Sequence, residues 1–223
     1  MSKLPPVPWE GIGTRKVAGK KKAGLLVDLR RCTGCHACSV ACKTEHNVPL
    51  GHFRTRVRYL QQPKQNVMHF LPLLCVQCED APCLKACPTS ALEKRPDGVI
   101  TVNEEKCCGN KACISACPYG AMFLNPNTQK ASKCDLCSDR TDLGMEPACV
   151  DVCPTNTLVY PDWGESGSKE AQQAQQHNAT GWKESAGTKS QVRYIGLESW
   201  MDGQAKSVQL EPGENEIIYE KKK

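Results

Sequence analysis

Large aromatic side chains are scarce: three Phe and four Trp among 223 residues. That is little to build a core around, so something other than aromatic packing has to fill the interior. No apolar run is long enough to cross a bilayer, which leaves membrane contact only through a partner. The first residues hold no apolar leader-like segment, against the expectation for a short secreted disulfide scaffold. No Ser/His/Asp order, phosphate loop or G-x-G-x-x-G fingerprint occurs, so no catalytic residue is assigned. The net charge of +5 is modest, and much of the excess lies in Arg15, Lys16, Lys20, Lys21, Lys22, Arg30 and Arg31. No aromatic residues interleave these charges as a base-stacking surface requires, so they read as an arm for an acidic partner rather than for nucleic acid.

Cysteine is what the chain has instead. All 16 fall into four groups, each ending in the step C-x3-C. The groups are Cys32, Cys35, Cys38 and Cys42; Cys75, Cys78, Cys83 and Cys87; Cys107, Cys108, Cys113 and Cys117; and Cys134, Cys137, Cys149 and Cys153. The first has the spacing C-x2-C-x2-C-x3-C, the bacterial ferredoxin pattern in which the fourth thiolate ligates the neighbouring cluster. Disulfides impose no such grammar. Zinc ribbons use C-x2-C pairs but need neither the C-x3-C step nor the Pro that follows it at Pro88, Pro118 and Pro154. Iron–sulfur clusters are therefore expected to supply part of the core, with metal ligation coupled to folding.

The expected fold class is α+β: two interleaved ferredoxin-like units of short strands and helices, plus a polar C-terminal extension. Residues 1–23 read as an extended basic arm. The apolar run Ala23–Asp28 reads as a strand and Ala37–Glu45 as a helix carrying Cys38 and Cys42. The alternation in Arg54–Leu60 predicts a half-exposed strand. Groups two and three, within 73–123, form an inner unit. Groups one and four, within 24–72 and 124–160, pair around it as an outer unit. An internal repeat runs through Ala86–Leu92, Ala116–Met122 and Val152–Leu158. Residues 161–190 are Gln-, Gly- and Ser-rich and read as a loop insert. Strands are expected at Gln191–Gly196 and Glu214–Glu220, with turns at Asp202-Gly203 and Pro212-Gly213. The segment 161–223 reads as a tail that lies on a partner subunit or on the ferredoxin body.

Ferredoxin pairing predicts four ligand sets. They are Cys32, Cys35, Cys38 with Cys153; Cys134, Cys137, Cys149 with Cys42; Cys75, Cys78, Cys83 with Cys117; and Cys107, Cys113 with Cys87. The last set lacks a cysteine, because Asn110 stands at the remaining place. Three thiolates suit a [3Fe–4S] cluster, so the chain is expected to carry three [4Fe–4S] clusters and one [3Fe–4S]. The alternative is four [4Fe–4S] clusters, with Cys108 or another ligand at the irregular site. Lys133 and Arg140 flank the fourth group and are expected to interact with clusters. His36 reads as a loop residue near a cluster, and no histidine is assigned as a ligand.

The motifs VDLRRCTGCHAC, CEDAPCLKACPTSAL, ACPYGA and KCDLCSDR, spread from about Gly24 to Tyr160, resemble the electron-transfer (beta) subunit of complex iron–sulfur molybdoenzymes. That family includes dimethyl sulfoxide, polysulfide, tetrathionate and nitrate reductases and sulfite dehydrogenases. The resemblance implies a catalytic subunit carrying molybdopterin and an integral membrane subunit that exchanges electrons with quinone, joined by the clusters. It places the outer unit toward the catalytic subunit and the inner unit toward the membrane. Nitrate reductase relatives have Trp where Asn110 stands and hold a [3Fe–4S] cluster there. A respiratory role in sulfur-oxyanion metabolism is expected, membrane-associated through partners, on the cytoplasmic face or, if exported with a twin-arginine-bearing partner, the periplasmic one. The alternative is a free soluble polyferredoxin serving several oxidoreductases.

Overall fold

The computed structural model describes residues 19–62, 67–209 and 217–219. Most of the basic arm, including Arg15 and Lys16, and the Pro212-Gly213 turn lie outside these residues. The chain runs β1 (Leu25–Asp28), α1 (Ala37–Glu45), β2 (Thr55–Gln62), β3 (Val67–Leu74), α2 (Pro82–Ala86), β4 (Leu92–Lys94) and β5 (Ile100–Val102). It continues through α3 (Ala112–Ser115), β6 (Met122–Leu124), β7 (Ala131–Lys133), α4 (Ser138–Asp142), α5 (Ala148–Asp151) and β8 (Leu158–Val159). The last part holds α6 (Lys169–Gln176), β9 (Val192–Ile195), α7 (Ser199–Gln204) and β10 (Ile217–Tyr219). Among the described residues no helix is long and apolar enough to cross a membrane.

The apolar run LLVD makes β1 the centre of a three-stranded sheet, and all four residues are buried. It pairs antiparallel with β8 and parallel with β9. A strand covered on both faces tolerates a continuous apolar run. A second sheet sets β2 between β10 and β3, and two hairpins, β4–β5 and β6–β7, lie between the Cys groups. The core is unusual in composition: cysteines stand among Leu, Val and Ile in one continuous cluster.

Helix α1 ends where the sequence changes to His46-Asn47. Asn47 takes the left-handed conformation at φ 47°, and the Val48 N–H donates to Lys43 O at 3.1 Å. Asn tolerates that conformation, and the bond closes the helix end. Helices α2 to α5 have only four or five residues. Such lengths are not stable alone, so the cysteine body around them must hold them.

Three expectations fail. Strand β2 is not half-exposed: Arg56 and Arg58 are 1% and 0% exposed. Alternation misleads here because β2 is an inner strand and both its faces are covered. The Arg56 guanidinium lies 4.4 Å from the Phe53 ring centroid. Residues 161–190 are not a plain loop insert either. They contain α6, capped by the Ser168 side chain, which accepts from the Ala171 N–H. Trp182 is fully buried, and the expected turn at Asp202-Gly203 lies inside α7. The segment is too polar for its own core, but its few apolar residues join the core of the cysteine body. Each large apolar side chain so buried contributes roughly 1.5–3 kcal/mol.

Candidate metal centres

The three repeats build one device three times. After Cys87, Cys117 and Cys153 comes Pro, and three residues after each Cys the backbone turns left-handed, at Ser90, Gly120 and Asn156 (φ 51°, 53° and 49°). The amide of that residue donates to the cysteine carbonyl. The next amide is thereby aimed at the sulfur. Ala91 N–H reaches Cys87 Sγ at 3.3 Å, and Thr157 N–H reaches Cys153 Sγ at 3.3 Å. Each repeat then ends on a buried strand start: Leu92, Met122 or Leu158. Cys42 lies within α1, is followed by Lys43, and has no such turn.

The fold gathers thiols from distant parts of the sequence closely enough for their charges to interact. Cys32 faces Cys35 and Cys153, and Cys38 faces Cys32 and Cys153. Cys42 faces Cys137, and both Cys134 and Cys149 face Cys42 and Cys137. Cys78 and Cys83 face Cys75 and Cys117. Cys113 faces Cys87 and Cys107. Neighbouring sets also sense one another, through Cys38 and Cys42, and through Cys75 and Cys134.

All 16 cysteines are free thiols. Burial pushes Cys42 and Cys83 up to about 12 and Cys38, Cys78 and Cys137 up to about 11. Cys134 and Cys149 are buried too, and burial pushes both thiols up. At Cys87 and Cys153 burial also acts upward, but turn amides and the Thr89 or Thr155 hydroxyl outweigh it and hold both thiols below their ordinary value. Burial alone keeps most of these thiols protonated, whereas a coordinated metal deprotonates such thiols outright and takes soft sulfur ligands. The donor set fits iron–sulfur clusters. Among the described residues, no three His, Cys, Asp or Glu side chains are arranged to hold a single metal ion.

Several side chains support the thiols, and two of them, His46 and Gln77, escaped sequence reading. His46, fixed by the end of α1, places Nε2 at 3.1 Å from Cys137 Sγ. Gln77 is buried; its Nε2 donates to Cys134 O at 2.8 Å and its Oε1 accepts from Ile100 N–H at 2.9 Å. Only its place two residues after Cys75 hinted at this. His36 Nε2 stands 2.8 Å from Tyr59 Oη, which donates to Gly34 O. Lys133 is buried, and its Nζ donates to Cys134 O at 2.9 Å and to Ile100 O. Its charge reaches Cys83 and Cys117. Arg140 acts chiefly as a staple. It donates to Glu146 O at 2.9 Å and pairs with Glu45 and Asp151, each at 3.1 Å, while its charge also reaches Cys137.

The irregular group keeps the regular backbone. In CTGCHAC, Gly34 has φ 70° and His36 has φ 60°; in CCGNKAC, Gly109 has φ 71° and Lys111 has φ 66°. Neither glycine admits a side chain, since a Cβ would meet the Phe70 ring at 2.4 Å or Gln129 O at 2.6 Å. Asn110 therefore takes the place of Cys35, and Cys108 takes that of Thr33; all four are exposed. The Asn110 Oδ1 accepts from the Ala112 N–H at 3.1 Å.

Residues 66–162 match the family model described as a 4Fe-4S dicluster domain. The B subunit of the tetrathionate reductase of Salmonella typhimurium is 37% identical over 80% of this chain and 74% of its own length. The B subunit of the polysulfide reductase of Wolinella succinogenes is 39% identical over 80% of this chain and 99% of its own. The thiosulfate reductase electron transfer subunit of Salmonella typhi is 40% identical over 68% of this chain and 85% of its own. The cysteine turns and these similarities agree: the chain is an iron–sulfur protein and belongs to the family of iron–sulfur electron-transfer subunits of tetrathionate, polysulfide and thiosulfate reductase type.

Proposed function

We propose that this chain holds four clusters and relays electrons between a molybdopterin-bearing catalytic subunit and an integral membrane subunit that reacts with quinone. When bound, the clusters supply one-electron storage at spaced points. The ligand sets are the four expected from ferredoxin pairing, with Cys108 outside them, and they divide between an inner unit at 73–123 and an outer unit at 24–72 and 124–160. One observation supports the reading: thiols from distant groups lie near enough for their charges to interact, and neighbouring sets do so through Cys38 with Cys42 and through Cys75 with Cys134. Congruence of the Asn110 loop with the Cys35 loop, and the bond of Asn110 to Ala112 N–H, favour a [3Fe–4S] cluster at Cys87, Cys107 and Cys113. The substrate class of the partner is a sulfur oxyanion, by similarity to the tetrathionate and thiosulfate enzymes. The complex sits at the membrane through its partners, and the basic arm at 1–23 and the tail within 161–223 contribute to docking.

Purification without oxygen, followed by iron and sulfide analysis and isolation of associated chains, tests this. Four clusters and a co-purifying molybdenum subunit are expected. An active monomer that serves several soluble enzymes would instead make the chain a free polyferredoxin.

A further inference from the structure

In every cysteine group the backbone turns left-handed at the third residue: Gly34, Gln77, Gly109 and Leu136, with φ 70°, 49°, 71° and 53°. Two of the four are glycines with no room for a side chain. Gln77 is the one polar side chain among them, and it is 0% exposed. A buried amide costs free energy unless its hydrogen bonds are made, and those of Gln77 lie outside its own loop. Its Nε2 donates at 2.8 Å to the carbonyl of Cys134, 57 positions away in the sequence. Its Oε1 accepts from the Ile100 N–H at 2.9 Å.

Lys133 closes these bonds into a ring. Its Nζ donates to the same Cys134 O at 2.9 Å and to Ile100 O. Ile100 belongs to β5, whose hairpin with β4 has only two strands. Its N–H and C=O are taken by Gln77 and Lys133 instead of a third strand. Ile100 and Lys133 are 1% and 2% exposed, so these buried groups depend on the ring for their partners. The direction of the Gln77 amide is fixed by chemistry. A backbone N–H only donates and a carbonyl only accepts, so Oε1 faces Ile100 and Nε2 faces Cys134. The ring joins two of the proposed ligand sets: Gln77 stands next to Cys78 of one, and the carbonyl it holds is that of Cys134 in the other.

We propose that Gln77 is a positioning residue that sets the distance an electron crosses between two neighbouring centres, the one at Cys75, Cys78, Cys83 and Cys117 and the one at Cys42, Cys134, Cys137 and Cys149. The proposal rests on the cluster reading above. The amide bonds the backbone of a ligand rather than its sulfur, so it acts on spacing. The magnetic interaction of two reduced clusters weakens steeply with distance, and electron paramagnetic resonance of the full-length protein in its complex reads it. Gln77→Leu keeps a side chain of similar bulk and removes both bonds. It is expected to retain full iron content, to narrow the splitting between these two [4Fe–4S] signals and to leave the oxidised [3Fe–4S] signal unchanged. Hydrogen exchange at Ile100 is expected to be slow in the unaltered protein and faster in Gln77→Leu. Gln77→Glu keeps the acceptor for Ile100 and loses the donor to Cys134, so the splitting should narrow while Ile100 stays protected. An unchanged splitting at full iron content, an equal change in every signal, or an Ile100 amide that ignores Gln77→Leu would overturn the proposal. Loss of iron from both variants would also overturn it, by making Gln77 a requirement of assembly. Iron and sulfide content of the unaltered protein tests the cluster reading separately. A protein without clusters overturns that reading, whereas clusters whose interaction ignores Gln77 overturn only this proposal.

Discussion

The Nε2 of His46 stands 3.1 Å from Cys137 Sγ, joining residues 91 positions apart. Burial first, and then the Arg54 charge, hold the His46 pKa below its ordinary value, so the ring is neutral at pH 7. A ligating sulfur accepts only, so the neutral ring carries its proton on Nε2. His46→Leu is expected to lower the midpoint potential of one [4Fe–4S] centre while iron content stays constant. Potentiometry of the variant decides it, and an unmoved set of midpoints would refute the role.

Asn110 occupies the place that Cys35 holds in the regular loop. Asn110→Cys is expected to convert the [3Fe–4S] signal of the oxidised protein into a [4Fe–4S] signal of the reduced one, with a gain in iron. Cys108→Ser, on the solvent side, is expected to change neither spectrum nor iron content. Conversion by loss of Cys108 would make that thiol the missing ligand.

Lys133 is a buried cation whose charge acts on Cys83 and Cys117. Lys133→Met leaves the Ile100 and Cys134 carbonyls without this donor. A loss of roughly 1–3 kcal/mol of stability is expected, together with a more negative potential of the centre that includes Cys83. Thermal unfolding and potentiometry check the two effects separately.

Asp162 accepts from the backbone N–H groups of Lys21, Lys22 and Gly164 at 2.8–2.9 Å. Burial acts upward on its carboxyl, but these amides outweigh it and hold the pKa below the usual 3.8. A depressed folded value stabilises the protein above the unfolded pKa, and this is lost as pH falls through the folded value. Asp162→Ala is expected to lower stability by about 1–3 kcal/mol at pH 7. The gap to the unaltered protein should narrow only below about pH 4, as melting curves stepped down in pH would show.

The cysteine grammar made the iron–sulfur family and the repeated turn legible, because cysteine spacing and the Pro-turn device are local. Helix α1 was equally legible from its spacing. His46 and Gln77 were not, since what matters in each is a contact across the fold that no periodicity announces. Residues 161–190 misled for a related reason, whereas the strand expected at Gln191–Gly196 forms as β9. The composition of 161–190 is that of a loop, and only the core already built by the cysteine groups gives Trp182 somewhere to go. Strand β2 misled because a sequence shows alternation but not how many layers cover it.

Strand β1 lies between β8 and β9, and both of its partners come from much later in the sequence. During synthesis it emerges long before them and must wait, unpaired and apolar, until residues 158–195 have left the ribosome. Closing so long a loop comes late in folding. The β8–β1–β9 sheet is therefore expected to close only after every cysteine group has been made.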